Sequence, residues 1–227
     1  MRPAHGATLM LACVCTLAAS VQQSTVAQTR RELVVGQASP TALAKVAETP
    51  AEAAAVVAFW RDAGPALWFA KDAAFDRRFR ERFSGLHEQA ARGALDPWRE
   101  TADGAMALVI LLDQFPRNAF RGTSRMYATD ERARHIAHLA IAAGDDAAFE
   151  PALRVFFYLP FGHSESLAGQ DRSVALCESL GEPTLSHARH HRDIVRRFGR
   201  FPHRNPILGR TMTAEEQRYL DEGGFAG

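Results

Sequence analysis

Residues Ala105–Leu112 read AMALVILL. Every one is apolar, so a helix here is buried on all sides. Val109 and Ile110 are β-branched and would suit a strand. No apolar–polar alternation and no turn pair flank them, and the Ala- and Met-rich lead-in continues a helical period. The stretch predicts the central buried helix of the fold. Asp96-Pro97 opens it, with proline in the first turn, and Pro116 stops it.

Working outward, the same period recurs. Phe75, Phe79, Leu86 and Ala90 share one face before Gly93, while Arg77, Arg78, Arg80, Glu81 and Glu88 fall mostly elsewhere. Further helices are predicted from Thr129 or Asp130 to Ala143, closed by Gly144, and from Asp146 to Leu159, ended by Pro160. Others run from Ser164 to Leu180, ended by Gly181, and from Pro183 to Phe198, ended by Gly199. Thr213-x-x-Glu216 is a capping box that opens the last. Strand signals are absent. The fold class is all-α, with about seven or eight antiparallel helices in one domain at residues 51–227.

The chain has 227 residues, 47% of them hydrophobic and 23% charged, which argues against disorder and against a multi-span membrane protein. The net charge is +1, so no global field drives binding to nucleic acid or membrane. One stretch is strongly basic: Leu185–Arg210 carries seven Arg, four His and one acid, Asp193. Cys13 and Cys15 lie in an N-terminal apolar run, and Cys177 reads as a small buried hydrophobe.

Residues 1–27 join a basic start to a short apolar core and then to small residues, the pattern of an export signal. A true start near Pro50 is the competing reading. The first predicts a periplasmic or secreted protein, the second a cytoplasmic one. Residues 28–50 read as a linker.

Phe115-Pro116-Arg117-Asn118, followed by Gly122, is echoed by Phe201-Pro202-His203-Arg204-Asn205, followed by Gly209. Both read as helix-to-helix loops that break with proline and present Arg-Asn. With these loops stand Phe59-Trp60, Trp68-Phe69, Lys71-Asp72, Phe75-Asp76 and Leu111-Leu112-Asp113-Gln114. Then come Phe120-Arg121-Gly122, Tyr158-Leu159-Pro160-Phe161, His163-Ser164-Glu165, Gln170, His191-Arg192-Asp193 and Leu208-Gly209-Arg210. In this order, over about residues 52–222, the chain resembles the bacterial family called domain of unknown function 924. The resemblance implies a tetratricopeptide-like array of stacked helical hairpins and no established activity. The 34-residue tetratricopeptide signature itself is absent.

Asp113, Gln114, Arg117 and Asn118 place polar groups at the end of the most buried helix. Arg117 is a fork for a carboxylate or phosphate, with Gln114 and Asn118 as neutral hydrogen-bonding groups. The structural alternative pairs Asp113 with an arginine and uses Asn118 to cap carbonyls. His163 and Glu165 are candidate acid and base. The structural alternative makes Ser164 a helix N-cap and lets Glu165 favour the helix dipole. A serine nucleophile has no G-x-S-x-G here. His203, Arg204 and Asn205 form the second polar loop. Arg117, His163, Arg204 and Arg210 form an electropositive constellation if the two loops face each other. Gln170 and His191 lie in the resembling segments and complete the candidate ligand-binding set. His187 and His191 have a zinc-compatible spacing, but no H-E-x-x-H is present, and no metal or cofactor is read from the chain.

Three functions compete. The first is a binding or scaffold module for a small anionic molecule or a peptide. The second is an enzyme of small acidic or phosphorylated molecules, using His163 and Glu165. Nucleic-acid binding through residues 185–210 ranks last.

Overall fold

Helix α1 (Ala51–Ala63) ends at Gly64, whose φ of 68° leads into the single turn α2 (Pro65–Trp68). The structure, a computed structural model, describes residues 48–227. The export-signal segment and nearly all of the linker lie outside the described residues. Helix α3 (Ala73–Ala91) is capped by Asp72, whose side chain accepts from the Phe75 backbone N–H at 2.7 Å. Asp96-Pro97 opens only a short 3₁₀ turn (Asp96–Glu100); the buried helix α4 (Ala102–Val109) begins afterwards, capped by the Thr101 hydroxyl. All of Ala105–Leu112 is 0% exposed, as a helix apolar all round requires. Gly104 lets this helix approach the 3₁₀ turn: a Cβ there would lie 1.9 Å from the Trp98 carbonyl oxygen.

Pro116 does not stop this helix. The backbone widens into a π turn (Ile110–Gln114) and then continues as α5 (Phe115–Ala119). Proline has no N–H to give the Leu112 carbonyl, so that carbonyl is free for another donor. The π turn pairs the Phe115 N–H with the Ile110 carbonyl instead. Three carbonyls are then satisfied by side chains. His87 Nδ1 donates to Leu111 at 2.9 Å, Thr129 Oγ1 to Leu112 at 2.5 Å and Arg117 Nη1 to Asp113 at 2.7 Å. Removing one buried donor exposes the cost of its stranded partner, about 1–3 kcal/mol. Thr129→Val is therefore expected to lower unfolding free energy by about that amount in urea titrations, with the slope unchanged.

Helix α6 (Asp130–Ala143) closes at Gly144, where φ is 84°. Helix α7 runs Pro151–Gly162, later at both ends than its predicted bounds; Pro160 lies inside it rather than ending it. Helix α8 (Leu167–Cys177) has Ser166, not Ser164, at its N-cap position. Helix α9 (Thr184–Phe198) ends at left-handed Gly199, and α10 (Ala214–Asp221) carries the predicted capping box. Counting α4, the π turn and α5 as one rod and setting α2 aside, eight helices lie among the described residues, and no strand does. The fold is all-α.

Trp60, Trp68, Phe75, Phe79 and Phe156 form an aromatic cluster, with Trp60 5.2 Å and Trp68 5.1 Å from Phe156 in edge contacts. A smaller core of Ile194, Val195 and Phe201 holds the α9–α10 end, flanked by Phe198, Tyr219 and Phe225. Among the described residues, no helix is long and apolar enough to cross a membrane.

Candidate functional site

The π turn places Asp113 where three elements meet. Its carboxylate is fully buried and accepts from His163 Nδ1 at 2.8 Å and from Gln114 Nε2 at 2.6 Å, with Arg117 Nη1 3.2 Å away. Burial alone would raise this carboxyl. Arg117, His163 and Gln114 outweigh it and hold the carboxyl at about 2. Arg117 forks onto Asp130 at 2.8 and 3.0 Å. Burial costs this guanidinium, yet the two aspartates raise it above its ordinary value.

His163 closes α7 and is partly buried, its side chain 16% exposed. Burial, and then the Arg117 charge, lower the imidazole below its ordinary value despite Asp113, a shift that favours the neutral ring. Its backbone carbonyl accepts from Arg204 Nη2 at 3.0 Å. Arg204 stacks against Tyr127 and Phe201, its guanidinium carbon 4.5 and 4.6 Å from the ring centroids. Its Nη1 stands 3.6 Å from Asp130, and its Nε is sealed with no acceptor. Burial first, then the Arg117 charge, push this guanidinium below its ordinary value.

Glu165 is not paired with His163. It accepts from the Phe201 N–H at 3.0 Å and is bound by Arg210 at 2.8 Å. Gln170 is a structural clasp: its Nε2 donates to the Gly162 and Ser164 carbonyls at 2.7 and 2.6 Å. Ser164 Oγ accepts from the Ser166 N–H at 3.1 Å. His191 and His203 pack on Phe225, at 4.7 and 5.1 Å. Burial lowers His191 to about 3, and positive charge on His163 or His190 acts the same way. Burial, then Arg204, lowers His203 to about 4.

A family profile described as a bacterial protein of unknown function (DUF924) matches residues 56–224. The chain belongs to the DUF924 family. It is similar to a solved structure, a protein of unknown function from Agrobacterium tumefaciens. The two are 57% identical with a TM-score of 0.76, over 78% of this chain and 100% of the other. A comparison with curated proteins finds no match.

In this DUF924 chain the polar network connects Asp113, Gln114, Arg117, His163, Arg204, Glu165 and Arg210. Arg117, His163 and Arg204 are tied together through Asp113 and Asp130; Arg210 joins through Glu165 and the Phe201 backbone. Asn118 does not join them. Its Nδ2 donates to Asp76 at 2.7 Å, inside a separate network with Arg121, and it caps no carbonyl. Asn205 is fully buried and turns to Met212 Sδ at 3.4 Å. The first echo segment is helical rather than a loop, and the second holds a short 3₁₀ turn, Pro202–Arg204. Tyr127 and Asp130 are the members that sequence reasoning missed. Asp130 looked like a helix-start acid only, and nothing in a lone chain marks it as the bridge between two arginines.

A cavity of about 290 Å³ lies elsewhere, lined by Arg197, Phe198, Arg200, Thr213, Glu215 and Glu216. The basic stretch is largely neutralised by acids: Arg197 pairs with Glu215, Arg200 with Glu216, and Arg192 and Arg196 with Asp193. Nucleic-acid binding thus loses most of the free cations it relied on. Among the described residues, no group of three His, Cys, Asp or Glu side chains could hold a metal ion.

Proposed function

We propose that this protein is a binding module for a small organic anion, a carboxylate or phosphate, free or at the end of a peptide. The observation that carries the reading is Arg204. It makes a single short hydrogen bond among the described residues, to the His163 carbonyl, while Arg117 makes three, all to Asp113 and Asp130. A guanidinium has five N–H donors in a planar fork suited to carboxylate and phosphate. The 8% of the Arg204 side chain that stays exposed is the edge a ligand would meet. An incoming anion would offset the burial that lowers this group. His163 beside it offers a neutral ring for a ligand hydroxyl or amide.

The test is calorimetry and thermal shift on the full chain with succinate and with inorganic phosphate. Binding to the native state raises the melting temperature by mass action. The wild type is expected to bind at least one of the two. Arg204→Met is expected to lose the shift, and Arg204→Lys to weaken it by about tenfold, since a point charge replaces a planar fork. Absence of binding by the wild type, or equal binding by Arg204→Met, overturns the reading.

A further inference from the structure

Asp113 can only accept hydrogen bonds while it is ionised. Its contact with His163 Nδ1 therefore puts the ring proton on Nδ1 and leaves Nε2 with a bare lone pair. Nε2 has no hydrogen-bond partner among the described residues, and it is not among the atoms sealed from solvent without one. The ring cannot drift, because its residue is fixed at three places. The backbone N–H donates to Leu159 at 2.8 Å, the carbonyl accepts from Arg204 at 3.0 Å, and Nδ1 donates to Asp113 at 2.8 Å. A buried carboxylate behind an imidazole whose far nitrogen is open is the arrangement of a general base.

We infer that His163 is the catalytic base of a hydrolase. It activates water against the carbonyl of a carboxylic ester whose acyl part carries the anion held by Arg204. This rests on the anion-binding reading above. Water is the nucleophile because neither Ser164 beside His163 nor the free Cys177 can serve. Ser164 is 5% exposed, and its hydroxyl lies so close to Gly169 that a Cβ there would come within 2.8 Å of it. Cys177 is buried, its thiol pushed up to about 11 by burial. As the water oxygen bonds to the carbonyl carbon, its proton passes to His163 Nε2 and the carbonyl π pair moves to oxygen. When the tetrahedral intermediate collapses, the bond to the leaving oxygen breaks with its electron pair. The proton on Nε2 then passes to that oxygen. The products are a carboxylic acid and an alcohol, and no oxidant, reductant or cofactor is consumed. Asp113 is a positioning residue. It fixes the tautomer and stabilises the transient imidazolium.

The experiment uses the full chain with the mono-p-nitrophenyl ester of succinic acid, following p-nitrophenolate release. Wild-type protein is expected to hydrolyse it. His163→Asn keeps a donor toward Asp113 and is expected to lose about 10²–10⁴-fold in kcat while succinate affinity stays within a few-fold. Arg204→Lys is expected to raise KM with kcat nearly unchanged. Nitrogen-15 NMR of the His163 ring at pH 7 is expected to show the Nδ1–H tautomer, shifting toward Nε2–H in Asp113→Asn. The proposal is overturned if succinate binds yet the wild type hydrolyses nothing above buffer, if His163→Asn is as fast as wild type, or if the wild-type ring is the Nε2–H tautomer. Failure of succinate and phosphate to bind at all overturns the anion-binding reading itself, and the hydrolase with it.

Discussion

Asp113→Ala is expected to lower unfolding free energy by about 3–5 kcal/mol, the usual cost of removing one partner from a buried charge network. The carboxylate is 0% exposed, and removing it strands donors on Gln114 Nε2 and His163 Nδ1 at once. Arg117 keeps Asp130 but loses its second acid at 3.2 Å. The network also ties the π turn to the end of α7, so the loss is cooperative rather than local. Urea denaturation followed by circular dichroism measures it. Asp76→Ala is the comparison, because Asp76 also serves an arginine and an asparagine but is less buried, 16% of its side chain exposed. Its cost is expected to be about half as large, between the values for exposed and for buried pairs. A loss under about 1 kcal/mol for Asp113→Ala would mean that water replaces the carboxylate and the network is not a unit.

Stability is expected to fall steeply as the pH drops from about 6.5 toward about 4, a loss that begins well above the range in which carboxylates titrate. His191 is lowered from an ordinary 6.5 to about 3, and His203 to about 4. In each case the unfolded chain takes up the proton before the folded one does. Stability is thus full above pH 6.5 and declines until each folded value is reached, by up to about 1.4 kcal/mol per pH unit for each group. The groups that oppose protonation are His163, His187, His190 and Arg204 around His191, and Arg204, His163 and Arg117 around His203, where Glu165 acts the other way. Asp113 and Glu216, both held at about 2, add their own loss below about pH 4. His191→Gln is expected to flatten the slope between pH 6 and 4 in thermal melts. An unchanged slope in both His191→Gln and His203→Gln would show that neither ring is buried neutral.

The polar groups of the network were visible along the chain, but their pairing was not. Glu165 stood two residues from His163 and looked like its partner, yet the chain turns at the end of α7 and sends Glu165 to Arg210, while Asp113 arrives from fifty positions away. Asn118 adjoins Arg117 in sequence, and one helical step turns it onto Asp76 instead. Pro116 was read as the end of the buried helix because it has no N–H, and the helix runs on through it. What could not be read was where the orphaned carbonyl would find a donor. With Thr129 and His87 in place, the cheapest response is a widened turn rather than a broken helix.

Local chemistry therefore determined what is local. The run AMALVILL, the glycines after α6 and α9 and the Thr213 capping box each act within a few residues, so composition and spacing suffice to predict an all-helical chain and many of its boundaries. Only the tertiary structure decided which charges meet. The energy of an ion pair depends on distance and on exclusion of water, and both are set by how α7, the π turn and the segment after α9 come together. That packing left Arg117 bound to two aspartates, Arg204 with donors to spare and His163 with one nitrogen open.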